Sequence, residues 1–131
     1  SKYLIHGLDK INKEKDYIII TKSVKDKMVL EGLNYNAVNI QNEGISIPEE
    51  IMNYLNSIYQ NIYLFYDNDY NKKENWGQIE VKKMIKKYSY LKNIKIDDKY
   101  ECTDISEFIE KYDIEKTAKL LNNKLKIINE K

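Results

Sequence analysis

The chain has 131 residues, 42% hydrophobic and 33% charged, with 22 basic against 21 acidic side chains and a formal net charge of +1. That length fits one domain, and the apolar content excludes a disordered tail. The charge balance excludes a polycation that binds through bulk charge, so any nucleic-acid contact needs a local patch. All the basic residues are Lys, and Lys, Asn, Ile and Tyr dominate, as A/T-rich codons favour. The single cysteine, Cys102, excludes an internal disulfide and a cysteine zinc ribbon. The single histidine, His6, excludes multi-His zinc sites and argues against a Ser-His-Asp triad. Neither residue is assigned chemistry. The longest apolar run is far too short to span a bilayer, and no signal peptide stands before it; the expected location is the cytoplasm. The chemistry that remains rests on carboxylates, lysines and backbone.

In chain order, Tyr17-Ile18-Ile19-Ile20 is a continuous apolar run, the pattern of a strand buried on both faces. Ser23 can cap a following helix, with Asp26 three residues on and Gly32 at its end. Ala37 to Ile40 reads as a weaker strand. Ser46 and Pro48 open a helix whose Ile51, Met52, Leu55, Ile58 and Tyr59 share one face. Ile62 to Tyr66 is the strongest strand signal. After a polar loop, Val81, Met84, Ile85 and Tyr88 form a helical stripe, with Lys82, Lys83, Lys86 and Lys87 on the opposite face. Ile94 to Ile96 reads as a short fourth strand, and two helices follow, around Ile105 to Tyr112 and Ile114 to Ile128. No linker or repeat interrupts the series. Such alternation predicts an α/β domain: a Rossmann-like sheet of about four mainly parallel strands with helices on both faces. Ligands of such sheets bind beyond the carboxyl ends of the strands, which directs attention to the residues after Ile20, Ile40, Tyr66 and Ile96.

Asp67-Asn68-Asp69 leaves the strongest strand at that edge. Two carboxylates two residues apart can turn toward one hard cation such as Mg²⁺ or Mn²⁺; taken alone, the same tripeptide is more often a solvated turn. Asp26 and Asp104 fall at the same edge if the sheet is parallel, although each is also readable as a helix-start acid or N-cap. Lys25, Lys72, Lys73, Lys82 and Lys83 are candidates to track a nucleic-acid backbone, against the plainer reading of a solvated lysine-rich surface. Tyr63, Tyr66 and Tyr70 could stack on bases, but Tyr63 and Tyr66 read better as core. Trp76 reads as a packing residue.

The ordered set Tyr17 to Asp26 (YIIITKSVKD), Leu64 to Asp69 (LFYDND) and Thr103 to Tyr112 (TDISEFIEKY), with the lead-in Leu4-Ile5-His6-Gly7-Leu8, resembles a Toprim domain, over most of the chain from Leu4 to about Leu121. Among such domains it looks most like those of bacterial DnaG-type and phage DNA primases. The resemblance implies a Mg²⁺- or Mn²⁺-dependent nucleotidyltransferase making RNA primers in DNA replication. Its metal would be held by Asp67 and Asp69, with Asp26 and Asp104 as further ligands. It also implies single-stranded DNA template and nucleoside triphosphates as partners, a replicative helicase as a further one, and no membrane. A domain of this kind would belong to a longer primase or primase-helicase.

The departures are equally specific. Lys22 stands where the family carries its acid/base glutamate, Ser23 replaces the glycine, and Ser106 stands where a second aspartate is usual. Glu43 is the candidate relocated carboxylate, and Lys22 itself is a candidate phosphate contact. The alternatives are a catalytically inactive Toprim-like domain that binds nucleic acid or protein, and a Toprim nuclease. A response-regulator receiver domain fails for want of an acidic pair after the first strand. A haloacid-dehalogenase-type phosphatase would place its DxD on that first strand.

Overall fold

The computed structural model describes residues 3–6, 8–42 and 47–129. Five strands, β1 (Tyr3–His6), β2 (Tyr17–Thr21), β3 (Ala37–Asn42), β4 (Asn61–Phe65) and β5 (Leu91–Asn93), form one sheet in the order β1-β3-β2-β4-β5. The four strands from β2 to β5 are mutually parallel, and β1 runs antiparallel along the β3 edge. Helices α1 (Val24–Gly32), α2 (Glu49–Ile58), α3 (Trp76–Lys87), α4 (Ile105–Lys111) and α5 (Ile114–Asn129) complete an α/β fold. Among the described residues no helix is long and apolar enough to cross a membrane.

The strand period of two divides the core cleanly. Ile18, Ile20, Val38, Ile40, Ile62 and Leu64 pack with Met52 and Leu55 of α2 and Val81 and Met84 of α3. Ile19, Ala37, Tyr63 and Phe65 pack on the other face with Leu30 of α1, Ile105 and Phe108 of α4 and Leu121 of α5. Helices therefore cover both faces, as an all-parallel core requires. The strongest register is β2 on β4, from Tyr17 opposite Asn61 to Thr21 opposite Phe65. The connection from β2 leads to β3 and that from β4 leads to β5, in opposite directions across the sheet. The carboxyl ends of β2 and β4 are therefore the topological switch point, where α/β sheets form their crevice.

The expected elements are present with three differences. The last strand is Leu91–Asn93 rather than Ile94 to Ile96. Asn93 pairs with Leu64, and the Ile94 N–H still donates to the Leu64 carbonyl at 2.9 Å, but the ladder ends there. Ile94 and Ile96 are buried in the core beyond the ladder, so their apolar character reports packing rather than pairing. The segment Leu4-Ile5-His6 is an edge strand, too short to read from periodicity alone. Helix α1 ends at Gly32 as its spacing predicts, yet the left-handed residue is Asn34 (φ 70°), a residue type that tolerates that region. Ser23 caps α1 by accepting the Asp26 N–H at 3.3 Å. Ser46, Gly44 and Glu43 lie outside the described residues.

One core residue is out of keeping with its surroundings. Asn39 is fully buried, level with Thr21 across β3 and β2, and both atoms of its amide lack a hydrogen-bond partner among the described residues. An orphaned buried amide destabilises by about 1–3 kcal/mol, and valine suits a buried strand of similar volume. Asn39→Val is expected to raise the Tm by several degrees, read by calorimetry; an unchanged or lower Tm would show that the amide has a partner the geometry does not reveal.

Candidate metal centre

Three acids from three separate segments converge at the switch point. Asp26 is in the first turn of α1, Asp67 lies two residues beyond β4, and Asp104 is the N-cap of α4. One carboxylate oxygen from each lies within 4.8 Å of those of the other two. Alternation explains the side on which they meet. Phe65 faces α1 and α4, so two residues further on Asp67 leaves the sheet toward the same helices.

Each acid is held by local structure as well. Asp26 is buried, and Oδ1 accepts the Ser106 hydroxyl at 2.6 Å and the Ser106 N–H at 3.3 Å. Asp104 accepts the Glu107 N–H at 2.8 Å, while Glu107 accepts the Thr103 N–H at 3.2 Å and the Thr103 hydroxyl. The two acids together fix the start of α4, with Glu107 reaching back to the residue before the cap. Behind Asp67, its carbonyl accepts from the Gln78 side chain at 3.2 Å, and Asn93 donates to Gln78 at 3.0 Å.

Proximity of like charges is costly in the metal-free protein. Burial pushes the Asp26 carboxyl up to about 6; Asp104 adds to the rise, while Ser106 and Lys25 oppose it. Burial also pushes Asp67 up to about 6, with Asp104, Asp26 and Asp69 raising it further and Lys72 opposing. Three hard oxygen donors whose charges repel one another suit a divalent cation such as Mg²⁺ or Mn²⁺, which would neutralise them.

The remaining candidates go elsewhere. Asp69 is not among the three: Oδ2 accepts the Gly77 N–H at 3.3 Å, Oδ1 lies 3.5 Å from the Lys72 ammonium, and its own N–H donates to Asn75 at 2.8 Å. The two acids of the tripeptide thus diverge, and Asp69 ties the loop to α3. Asn68 between them is buried and donates to the Ile96 carbonyl at 2.8 Å and to Asp98 at 2.7 Å. Lys22 continues the β2 alternation to the opposite face, where its ammonium lies 3.0 Å from Glu80 of α3 and 5.5 Å from the centre of the Tyr66 ring. Lys25 is exposed and 3.7 Å from Glu110; Lys73, Lys82 and Lys83 are exposed. Tyr63 and Tyr66 are core residues, which removes them as stacking platforms, and Tyr70 is half-buried. Cys102 is buried, and its thiol donates to the Tyr100 carbonyl at 3.4 Å.

Sequence reasoning does not identify Glu80 as the partner of Lys22, nor Gln78 and Asn93 behind Asp67, because no short-range pattern links them. Ser106 is visible in the sequence only as a departure, yet its hydroxyl is the donor that holds Asp26. Trp76 does not pack as expected: it is 64% exposed. The reason is its neighbour. A Cβ on Gly77 would stand 2.1 Å from the Asp67 carbonyl oxygen, so α3 starts against the acid loop and leaves the indole outside.

Comparison of the chain with family models, with curated proteins and with solved structures finds no match.

The seating of Gly77 can be tested directly. Gly77→Ala is expected to cost about 1–3 kcal/mol, the range for overpacking a tight contact, and to displace Asp67; unchanged thermal stability would contradict the close approach. The raised carboxyls set a pH dependence as well. A carboxyl whose pKa is raised by folding adds stability below its unfolded value of 3.8 and loses it as pH climbs through about 6. In chelator, the Tm of the parent should therefore fall between pH 4 and pH 7 relative to Asp26→Asn/Asp67→Asn; parallel curves for the two proteins would count against this charge cluster.

Proposed function

We propose that Asp26, Asp67 and Asp104 hold a divalent cation, Mg²⁺ or Mn²⁺, for phosphoryl-transfer chemistry. The best-fitting form is the nucleotidyl transfer that the Toprim-primase resemblance implies. One observation carries this reading: three carboxylates from segments 41 and 37 residues apart in the chain meet within 4.8 Å at the switch point of a parallel sheet. Such ions, when bound, neutralise phosphate oxygens and orient them for in-line displacement. The chain's own contribution is to hold the acids in place. Ser106 orients Asp26, the α4 cap orients Asp104, and the Gly77 contact fixes the backbone of Asp67.

A second reading, a non-catalytic domain that docks nucleic acid or protein, is favoured by one specific feature. Lys22 stands at the resembled family's acid/base position, and its ammonium is engaged by Glu80 across the sheet edge from the acids. Lysine cannot serve there as a carboxylate base.

Titration of the protein with Mn²⁺ or Mg²⁺, followed by calorimetry, separates these readings at the first step. Saturable binding that Asp67→Asn weakens by at least about tenfold is expected, because ligand charge tunes affinity at such sites. Circular dichroism of the variant guards against misfolding. No binding up to about the millimolar range of weak cation sites would remove the metal centre and leave the docking role.

A further inference from the structure

We propose that α3 is a docking face for single-stranded nucleic acid, with Trp76 as a stacking platform for a base and the lysines of the same helix as contacts for its phosphates. This deepens the proposed function by naming a surface for a polymeric substrate, but its grounds are independent of the acids.

The first is the indole. Trp76 is the chain's only tryptophan, and it is 64% exposed on the first residue of α3. An indole is a large apolar surface normally buried in most of its area, and tryptophan is enriched among the residues that carry binding energy at interfaces. The Trp76 backbone is fixed on both sides. Asn75 caps the helix through the Gln78 N–H at 3.4 Å, and Gly77 is seated against the Asp67 backbone. Only the side chain would have to be ordered when a flat partner stacks on it.

The second is charge. The chain as a whole is almost neutral, yet α3 carries Lys82, Lys83, Lys86 and Lys87 against one acid, Glu80. That acid is neutralised by Lys22 at 3.0 Å. All four lysines are exposed. Among the described residues no ion pair engages them, and Lys87 only overlies the Tyr88 ring at 5.4 Å. Lys83 and Lys87 follow Trp76 by seven and eleven residues. At about 100° per residue both return to within about 20° of it, about 10 and 16 Å along the axis. Trp76, Lys83 and Lys87 thus share one stripe of the helix.

Charge complementarity selects a polyanion, and the ring selects one with planar bases. A single strand offers both, because its bases are unpaired and can stack on an aromatic side chain while its phosphates follow the lysines. A duplex hides its bases, and an acidic polypeptide has none to offer.

The sole tryptophan is its own reporter. In EDTA, so that the result does not depend on a cation, the protein is titrated with an oligodeoxythymidylate of about 12 nucleotides, within the usual site sizes. Saturable quenching of Trp76 emission is expected. By anisotropy of the dye-labelled oligonucleotide, Trp76→Ala should weaken binding by about 5- to 100-fold and Trp76→Phe by much less. Lys83→Gln/Lys87→Gln should lower the slope of log affinity against log salt by about 1.4, or about 0.7 for each phosphate that is no longer neutralised. These residues are exposed, so the variants should fold as the parent does. The proposal is overturned if emission does not change on titration, if Trp76→Ala binds like the parent, or if polyglutamate competes as well as the oligonucleotide. Because no divalent cation is free in EDTA, a protein that quenches here but fails to bind Mn²⁺ retains the docking face and loses only the metal centre.

Discussion

The parallel pairing of β2 with β4 is the constraint on which the rest depends. Both strands are buried on both faces, and their five-residue register ends with Thr21 level with Phe65. A slip of one residue would exchange the two faces of either strand and bring Ile18, Ile20, Ile62 and Leu64 to the wrong helices. The register is therefore held by burial along its whole length, and the positions at which the chain leaves the sheet are held with it. Lys22 and Tyr66 emerge toward α3, whereas Asp67 emerges toward α1 and α4, where Asp26 and Asp104 already stand. The site is a continuation of strand alternation past the end of the ladder.

The acids are tolerated because each also serves the local structure. Asp26 lies in the first turn of α1, where the helix dipole favours an anion, and Asp104 caps α4. Those roles position the carboxyl groups but do not offset the cost of burying them beside one another: burial first, and mutual repulsion after it, push Asp26 and Asp67 both up to about 6. Ser106 bears on the same balance. An aspartate at that position would add a further charge beside Asp26, whereas the hydroxyl donates to it at 2.6 Å. A serine at this position therefore makes the cluster easier to hold together than an aspartate would.

Much of this is legible in the chain itself. The runs Tyr17 to Ile20 and Ile62 to Tyr66 have the pattern of buried parallel strands, and parallel topology alone is enough to bring Asp26, Asp67 and Asp104 to one edge. Less legible are features set by tertiary contact. Whether Asp69 joins Asp67 or turns away depends on the Gly77 N–H and on Asn75, which only the folded loop brings near. Trp76 misleads because apolar character predicts burial on average, while its actual exposure follows from the seating of its neighbour. Ile94 and Ile96 imitate a strand because core packing and strand pairing select the same residue types.

The near-zero net charge of the chain conceals a separation of charge across the sheet edge. On the α1 and α4 side stand the three converging carboxylates, and on the α3 side stand Lys22, its partner Glu80 and the lysine face. Gly77 joins the two sides, since its backbone touches Asp67 while its helix carries the indole and the lysines. The Lys22–Glu80 pair then has a simple electrostatic consequence. It engages the lysine that leaves the carboxyl end of β2 and cancels the single negative charge of α3, so the helix keeps its positive character. Under the proposed function, a substrate with anionic phosphates would meet a repulsive acid cluster without a divalent cation and an attractive helix in either case, so that binding along α3 and chemistry at the acids would be separable steps governed by different charges.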